Sequence, residues 1–171
     1  MSKNFVFLKL LRVEQWYKNL VIFIPLIFSF NLFNLNLFIL SFFGFISLCF
    51  ISSSYYIIND IKDIEKDKYH PEKKNRPLAS GKINKPFALL ISVILFVDAI
   101  LIAYSLSLYF LGAVLVLFMF SQAYNFGLRN IIFLDIILIS TNFVIRAISG
   151  IFIIDTPVSY WVILTTFLIS M

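Results

Sequence analysis

Charge is what this chain lacks. Only 13% of its 171 residues are Asp, Glu, Lys or Arg, and 61% are hydrophobic. A soluble domain carries about 25% and about 45–50% respectively. From Asn19 to Ile58 there are 40 residues without a formal charge, more than a soluble fold could bury, so the chain reads as an integral membrane protein. Its one cysteine, Cys49, excludes an internal disulfide framework and lies in an apolar run where thiol chemistry finds no support. One histidine, His70, cannot build a Cys/His metal cluster or a triad. No glycine-rich phosphate loop occurs among the 5 glycines. The net charge of +5 therefore points to membrane topology and anionic headgroups or substrates rather than to nucleic acid.

What is present is best counted in spans. A hydrocarbon core of about 30 Å takes about 20 helical residues. The charge-free run 19–58 would make about 60 Å of helix, enough for two spans, and Asn31, Asn34 and Asn36 mark a turn at its middle. The expected spans are 19–33, bent at Pro25, and 37–58. Residues 87–128 contain a single charge, Asp98, and give two more at 87–104 and 108–126, reversing near Ser105–Ser107. A fifth runs over 133–153, and a sixth begins at Val158 and reaches Met171 without a polar flank. The expectation is an all-α, polytopic transmembrane bundle, one domain over 1–171, cut off within its sixth helix. Residues 1–18 form an amphipathic interfacial lead-in.

Thirteen of the fourteen lysines and arginines fall on one side of these spans, and Arg146 is the exception. By the positive-inside rule that side is cytoplasmic, with the N-terminus on it.

The chain is organised around residues 59–86, a cytoplasmic loop that opens with NDIKDIEKDKYHPEKKNRPLASG. Those 23 positions hold five acidic and seven basic residues, His70 included. Read as a helix leaving the second span, Asn59, Asp60, Asp63 and Asp67 fall within an arc of about 100°, with Glu65 opposite. A run of charges is ordinarily a solvated helix end. This one starts where a membrane helix emerges, is sorted by face, and is followed by Lys73, Lys74 and Arg76. Carboxylates on one stripe suit Mg²⁺, which takes one or two protein carboxylates plus substrate phosphate. Arginine grips phosphate bidentately and lysine acts as a point charge. Together they suggest a diphosphate site, with His70 shaping the turn.

Arg146 is the second signal, because an ionised residue within a span is functional by default. Asp98 and Asp135 are its candidate partners. Lys18, Tyr124 and Arg129 reach the level of the acidic stripe, from which a bundle could close around one ligand.

The stretch 59–81 resembles the first aspartate-rich motif, NDxxDxxxD, of the UbiA prenyltransferase superfamily. Its sequel resembles the HPxKxxRPxASG of the decaprenyl-phosphate phosphoribosyltransferase branch. RVEQWYKN at 12–19, YNFGLRNIIFLD at 124–135 and FVIRAISG at 143–150 resemble other parts of that branch. The resemblance implies about nine helices, a cytoplasmic active site open sideways to lipid, a bacterial inner-membrane location, and Mg²⁺ held through a diphosphate. It implies metal and catalytic roles for Asp60, Asp63 and Asp67, with Asn59 as a further ligand. It assigns phosphate or substrate binding to Lys18, Lys73, Arg76, Arg129, Tyr124 and Arg146. A second acidic motif is expected further on and is absent here. The implied reaction moves 5-phosphoribose from phosphoribosyl diphosphate to a polyprenyl phosphate. The alternatives are prenylation of an aromatic acid by a polyprenyl diphosphate, and a non-catalytic membrane subunit.

Overall fold

A computed structural model of the chain describes residues 3–125, 132–155 and 160–170, which are helical apart from short turns. Among the described residues three helices are long and apolar enough to cross a membrane: α3 (Leu35–Lys62), α5 (Lys85–Leu106) and α7 (Ile132–Ile154, over Ile136–Ile154). They are joined by α1 (Lys3–Leu11), α2 (Ile24–Phe28), α4 (Ile64–Lys68), α6 (Leu108–Asn125) and α8 (Tyr160–Ser170). Their ends follow local chemistry. Asn34 caps α3 by accepting from the Leu37 amide at 3.3 Å, and Asn84 caps α5 by accepting from Phe87 at 3.0 Å. Gly81, at φ 72°, turns the chain back towards that second cap. Ser107 ends α5, and its hydroxyl accepts from the Tyr109 amide to start α6.

The expected first span takes a different form. Val13–Phe23 is a 3₁₀ helix of 11 residues, followed by the short α2, and the chain turns at 29–34. In a 3₁₀ helix side chains three apart eclipse. Trp16, Asn19 and Ile22 therefore form one row, and this row faces the bundle: Asn19 and Ile22 are buried, and Trp16 donates its indole N–H to Ser53 Oγ at 3.0 Å. Tyr17 and Leu20 are exposed.

Lipid does not drive helices together as water does, so close packing and interhelical hydrogen bonds must. α3 packs along α5 through small residues on both. Ser47 Oγ donates to the Ala99 carbonyl at 2.8 Å, and Ser54 and Ser92 share a hydroxyl contact of 3.0 Å. The 3₁₀ segment lies against both α3 and α7. A Cβ on Gly150 would run into the Ile22 carbonyl, so α7 approaches that segment only because residue 150 is glycine. A second cluster, Leu10, Ile57, Ile64, Leu78 and Ala88, pins α1, α4 and the 76–79 loop onto the end of α3. That cluster brings Arg12 and Arg76 to the acidic residues.

Candidate functional site

α3 carries Asp60 in its last turn and ends at Asp63, whose φ of −92° and ψ of 7° leave the helical region before α4 begins. The stripe is therefore broken where a continuous helix was expected. Backbone bonds from Asp63 N to Asn59 O (3.0 Å) and from Asp67 N to Asp63 O (2.8 Å) keep the pieces nearly in line. Asp60, Asp63 and Asp67 are buried, and Glu65 faces away. Glu65 accepts from Lys68 at 2.9 Å, and that bond, with the charge behind it, holds its carboxyl below the usual range.

Two arginines, rather than a converging set of three carboxylates, organise this end. Arg12 stands between α1 and the 3₁₀ segment at φ 50°. Its Nε donates to Asp60 Oδ2 at 3.2 Å and its Nη2 to Oδ1, a bidentate grip, while its face lies 4.9 Å from the Tyr56 ring. Arg76 Nη1 bridges Asp60 Oδ1 at 3.1 Å and Asp67 Oδ2 at 2.6 Å. Among the described residues no three Asp, Glu, His or Cys side chains stand close enough to hold a metal ion. Asp60 is thus shared by Arg12 and Arg76, and Arg76 by Asp60 and Asp67. Asn59 Oδ1 is buried and has no hydrogen-bond partner.

A turn deeper, a cavity of about 310 Å³ opens between α3, α6, α7 and the 3₁₀ segment. Asn59, Tyr55 and Tyr56 line it from α3, and Arg12 and Lys18 from the N-terminal segment. Ser121 of α6 and Asn142, Phe143 and Arg146 of α7 close it. Arg146 is buried. Its Nε donates to Asn19 Oδ1 at 2.9 Å, its Nη2 to Tyr55 Oη at 3.0 Å and its Nη1 to the Asn142 carbonyl at 3.0 Å. No ion pair joins it to Asp98, and the Asp135 side chain lies outside the described residues. Asn19 is itself held, with Ser52 donating to it and its amide donating to Cys49 Sγ.

Residues 21–171 match the model of the UbiA prenyltransferase family. The chain belongs to that family. It is similar to the decaprenyl-phosphate phosphoribosyltransferase of Mycolicibacterium smegmatis, 33% identical over 168 residues covering 95% of this chain and 53% of that protein. The protein of the same name from Corynebacterium glutamicum is 34% identical, with 92% of this chain and 48% of that one covered. A solved UbiA homolog from Archaeoglobus fulgidus bound to GPP and Mg²⁺ shares the fold at a TM-score of 0.80 and 21% identity, covering 96% of this chain and 59% of that one. The chain spans about half the length of the curated relatives it matches.

Set against the sequence expectations, this UbiA-family chain brings Asn59, Asp60, Asp67 and Arg76 to one end of the site and Lys18 and Arg146 to the cavity. Lys73 and Lys74 stand exposed, beside the turn in which His70 Nδ1 accepts from the Glu72 and Lys73 amides. Arg129 and the Tyr124 side chain lie outside the described residues. Arg12, Asn19, Tyr55 and Asn142 were not anticipated as site residues. Tyr55 precedes Asn59 by one turn and Asn142 precedes Arg146 by one turn, and that spacing was the available signal.

Proposed function

We propose that this chain transfers 5-phosphoribose from phosphoribosyl diphosphate to a polyprenyl phosphate, at a site facing the cytoplasm of a bacterial inner membrane. The observation that carries the reading is the set of three cations, Arg12, Lys18 and Arg146, lining the cavity beside a carboxylate cluster. A pocket for an aromatic acceptor would be apolar around the ring, whereas here Ile139 and the rings of Tyr55, Tyr56 and Phe143 share the wall with three cations, Arg12, Lys18 and Arg146. The names of the relatives support the same choice. The distribution of lysine and arginine supports the orientation.

In this reading a phosphate oxygen of the lipid attacks the anomeric carbon as the bond from that carbon to the diphosphate oxygen breaks, and diphosphate leaves with the electron pair. The acceptor is already ionised at neutral pH, so no protein base is required. Of the expected ligands Asn59, Asp60, Asp63 and Asp67, those that fit Mg²⁺, an ion that takes only one or two protein carboxylates, are Asp60 and Asp67, which meet at Arg76, with the unpartnered Asn59 Oδ1; these would hold it. Bound there, the ion would neutralise charge on the diphosphate. Arg12 and Arg76 turn from carboxylate to phosphate oxygens as the substrate enters, and Lys18, Lys73 and Arg129 add charge around it. Positioning and charge stabilisation account for the catalysis.

The test uses membranes containing the chain, supplied with Mg²⁺, labelled phosphoribosyl diphosphate and polyprenyl phosphate. A parallel reaction receives a prenyl diphosphate and 4-hydroxybenzoate. Label should enter lipid as a pentose phosphate, and Asp63→Asn should lower the rate at least about a hundredfold. A prenylated ring with no labelled lipid would replace the reading with aromatic prenylation, and turnover unchanged by Asp63→Asn would end both.

A further inference from the structure

We propose that the inner end of the cavity, which Arg146 and Lys18 both line, binds a phosphate monoester at a locus separate from the diphosphate held at the carboxylates. The proposal rests on the transfer reading above and specifies which part of the reactants sits where.

A guanidinium has five N–H donors. Arg146 spends three of them on Asn19, Tyr55 and Asn142, all neutral acceptors. One N–H on each terminal nitrogen is left, and Arg146 lines the cavity. A buried cation inside a membrane bundle is costly unless compensated. The described lining of the cavity supplies Arg12, Lys18 and Arg146 and not one carboxylate. Of these, Arg12 already has Asp60. The positive charge at the inner end is therefore left for something that enters the cavity. Held at three points, with Phe143 stacked 5.6 Å away, the guanidinium is fixed in one orientation and presents a planar edge suited to a phosphate.

Position separates this locus from the first. Tyr55, which holds Arg146, lies one turn before Asn59, about 6 Å along α3. That is roughly the reach of one pentose ring with its linking oxygens. Two monoesters occur in the proposed reaction: the 5-phosphate of the donor and the phosphate of the lipid acceptor. A prenyl diphosphate has none, and an aromatic acid would bring only a carboxylate. The volume, about 310 Å³, is at the small end of the range for ligand pockets, about 300–1,000 Å³.

The experiment is a titration of the purified chain in lipid nanodiscs with EDTA present, which silences any metal-held diphosphate. Ribose 5-phosphate and dimethylallyl monophosphate are the two probes, with binding read by calorimetry. At least one should saturate the wild type, and Arg146→Gln should weaken it roughly ten- to hundredfold. A response to ribose 5-phosphate alone assigns the locus to the donor's 5-phosphate; to the prenyl monophosphate alone, the acceptor. A response to both assigns a shared monoester locus. Retained binding of diphosphate with Mg²⁺ verifies that Arg146→Gln is folded. If it is not, Lys18→Gln, a half-buried position, carries the test, with at least a severalfold loss expected. No saturation by either probe, or wild-type affinity in the deciding variant, overturns the proposal. Arg146-dependent binding without transfer in the membrane assay would sink the reaction and leave this locus standing. Transfer with wild-type monoester affinity in the variant would do the reverse.

Discussion

The two charged centres of this molecule are built on opposite plans. At the end of α3, Asp60 and Asp67 are met by Arg12 and Arg76, charge against charge. One turn deeper, Arg146 is met by an amide oxygen, a phenol and a backbone carbonyl. The first plan balances the charges at home, so a ligand has to displace an arginine before it can use a carboxylate. The second supplies geometry without balance, so a ligand can join without displacing anything. On the proposed reading, selectivity and capture are divided between neighbouring sites: one would admit only what can pull an ion pair apart, the other only what brings a negative charge.

The sharpest way to break this contrast is Asp60→Asn. It removes a buried carboxylate from two guanidinium groups at once, and breaking such a pair costs about 3–5 kcal/mol. Thermal unfolding in detergent should shift by that order, and transfer into lipid should fall to background. An unchanged melting curve would show that the first centre is not held by its charges. The converse experiment is Asn19→Asp, which gives Arg146 the counter-ion it lacks. The chain should remain folded, with heat resistance equal to or above wild type, while monoester affinity in EDTA falls about tenfold or more. The smallest effect is expected for Glu65→Gln. Glu65 has its pKa lowered by Lys68, so whatever the pair contributes is present above the unfolded-state value and lost as pH falls through the lowered one. Because the pair is exposed, wild type and variant should melt together at neutral pH in physiological salt, and any difference seen at low salt should vanish in acid.

The spans were legible because charge punctuates them. α3, α5 and α7 fall within a few residues of the expected spans 37–58, 87–104 and 133–153, and the lysine-rich 59–86 loop announces itself. The 3₁₀ form of Val13–Phe23 was not legible, since apolar content alone does not distinguish a rise of three residues per turn from 3.6. Arg12 read as a topological charge; only the folded chain carries it to Asp60, 48 positions away. Asp98 and Asp135 were the expected partners of Arg146 because opposite charge is what a sequence displays. Its described partners are neutral and up to 127 positions distant. An asparagine in an apolar stretch has no signature that says which cation it will hold. The break at Asp63 was equally hidden, since Asp, Ile and Glu are all tolerated in a helix.

The long 3₁₀ segment also settles a matter of reach. A 3₁₀ helix rises about 2.0 Å per residue against 1.5 Å in an α-helix. Drawn out this way, Val13–Phe23 extends about 22 Å, and the five residues of α2 add about 7 Å. The stretch therefore approaches the roughly 30 Å of a hydrocarbon slab with sixteen residues instead of the usual twenty or so. Drawing out the chain in this way carries Arg12, at the outer end of the segment, to Asp60, and Lys18, about 10 Å further in, to the cavity. Relaxing the segment into a plain α-helix would retract them by several ångströms, away from the carboxylates and the cavity they serve.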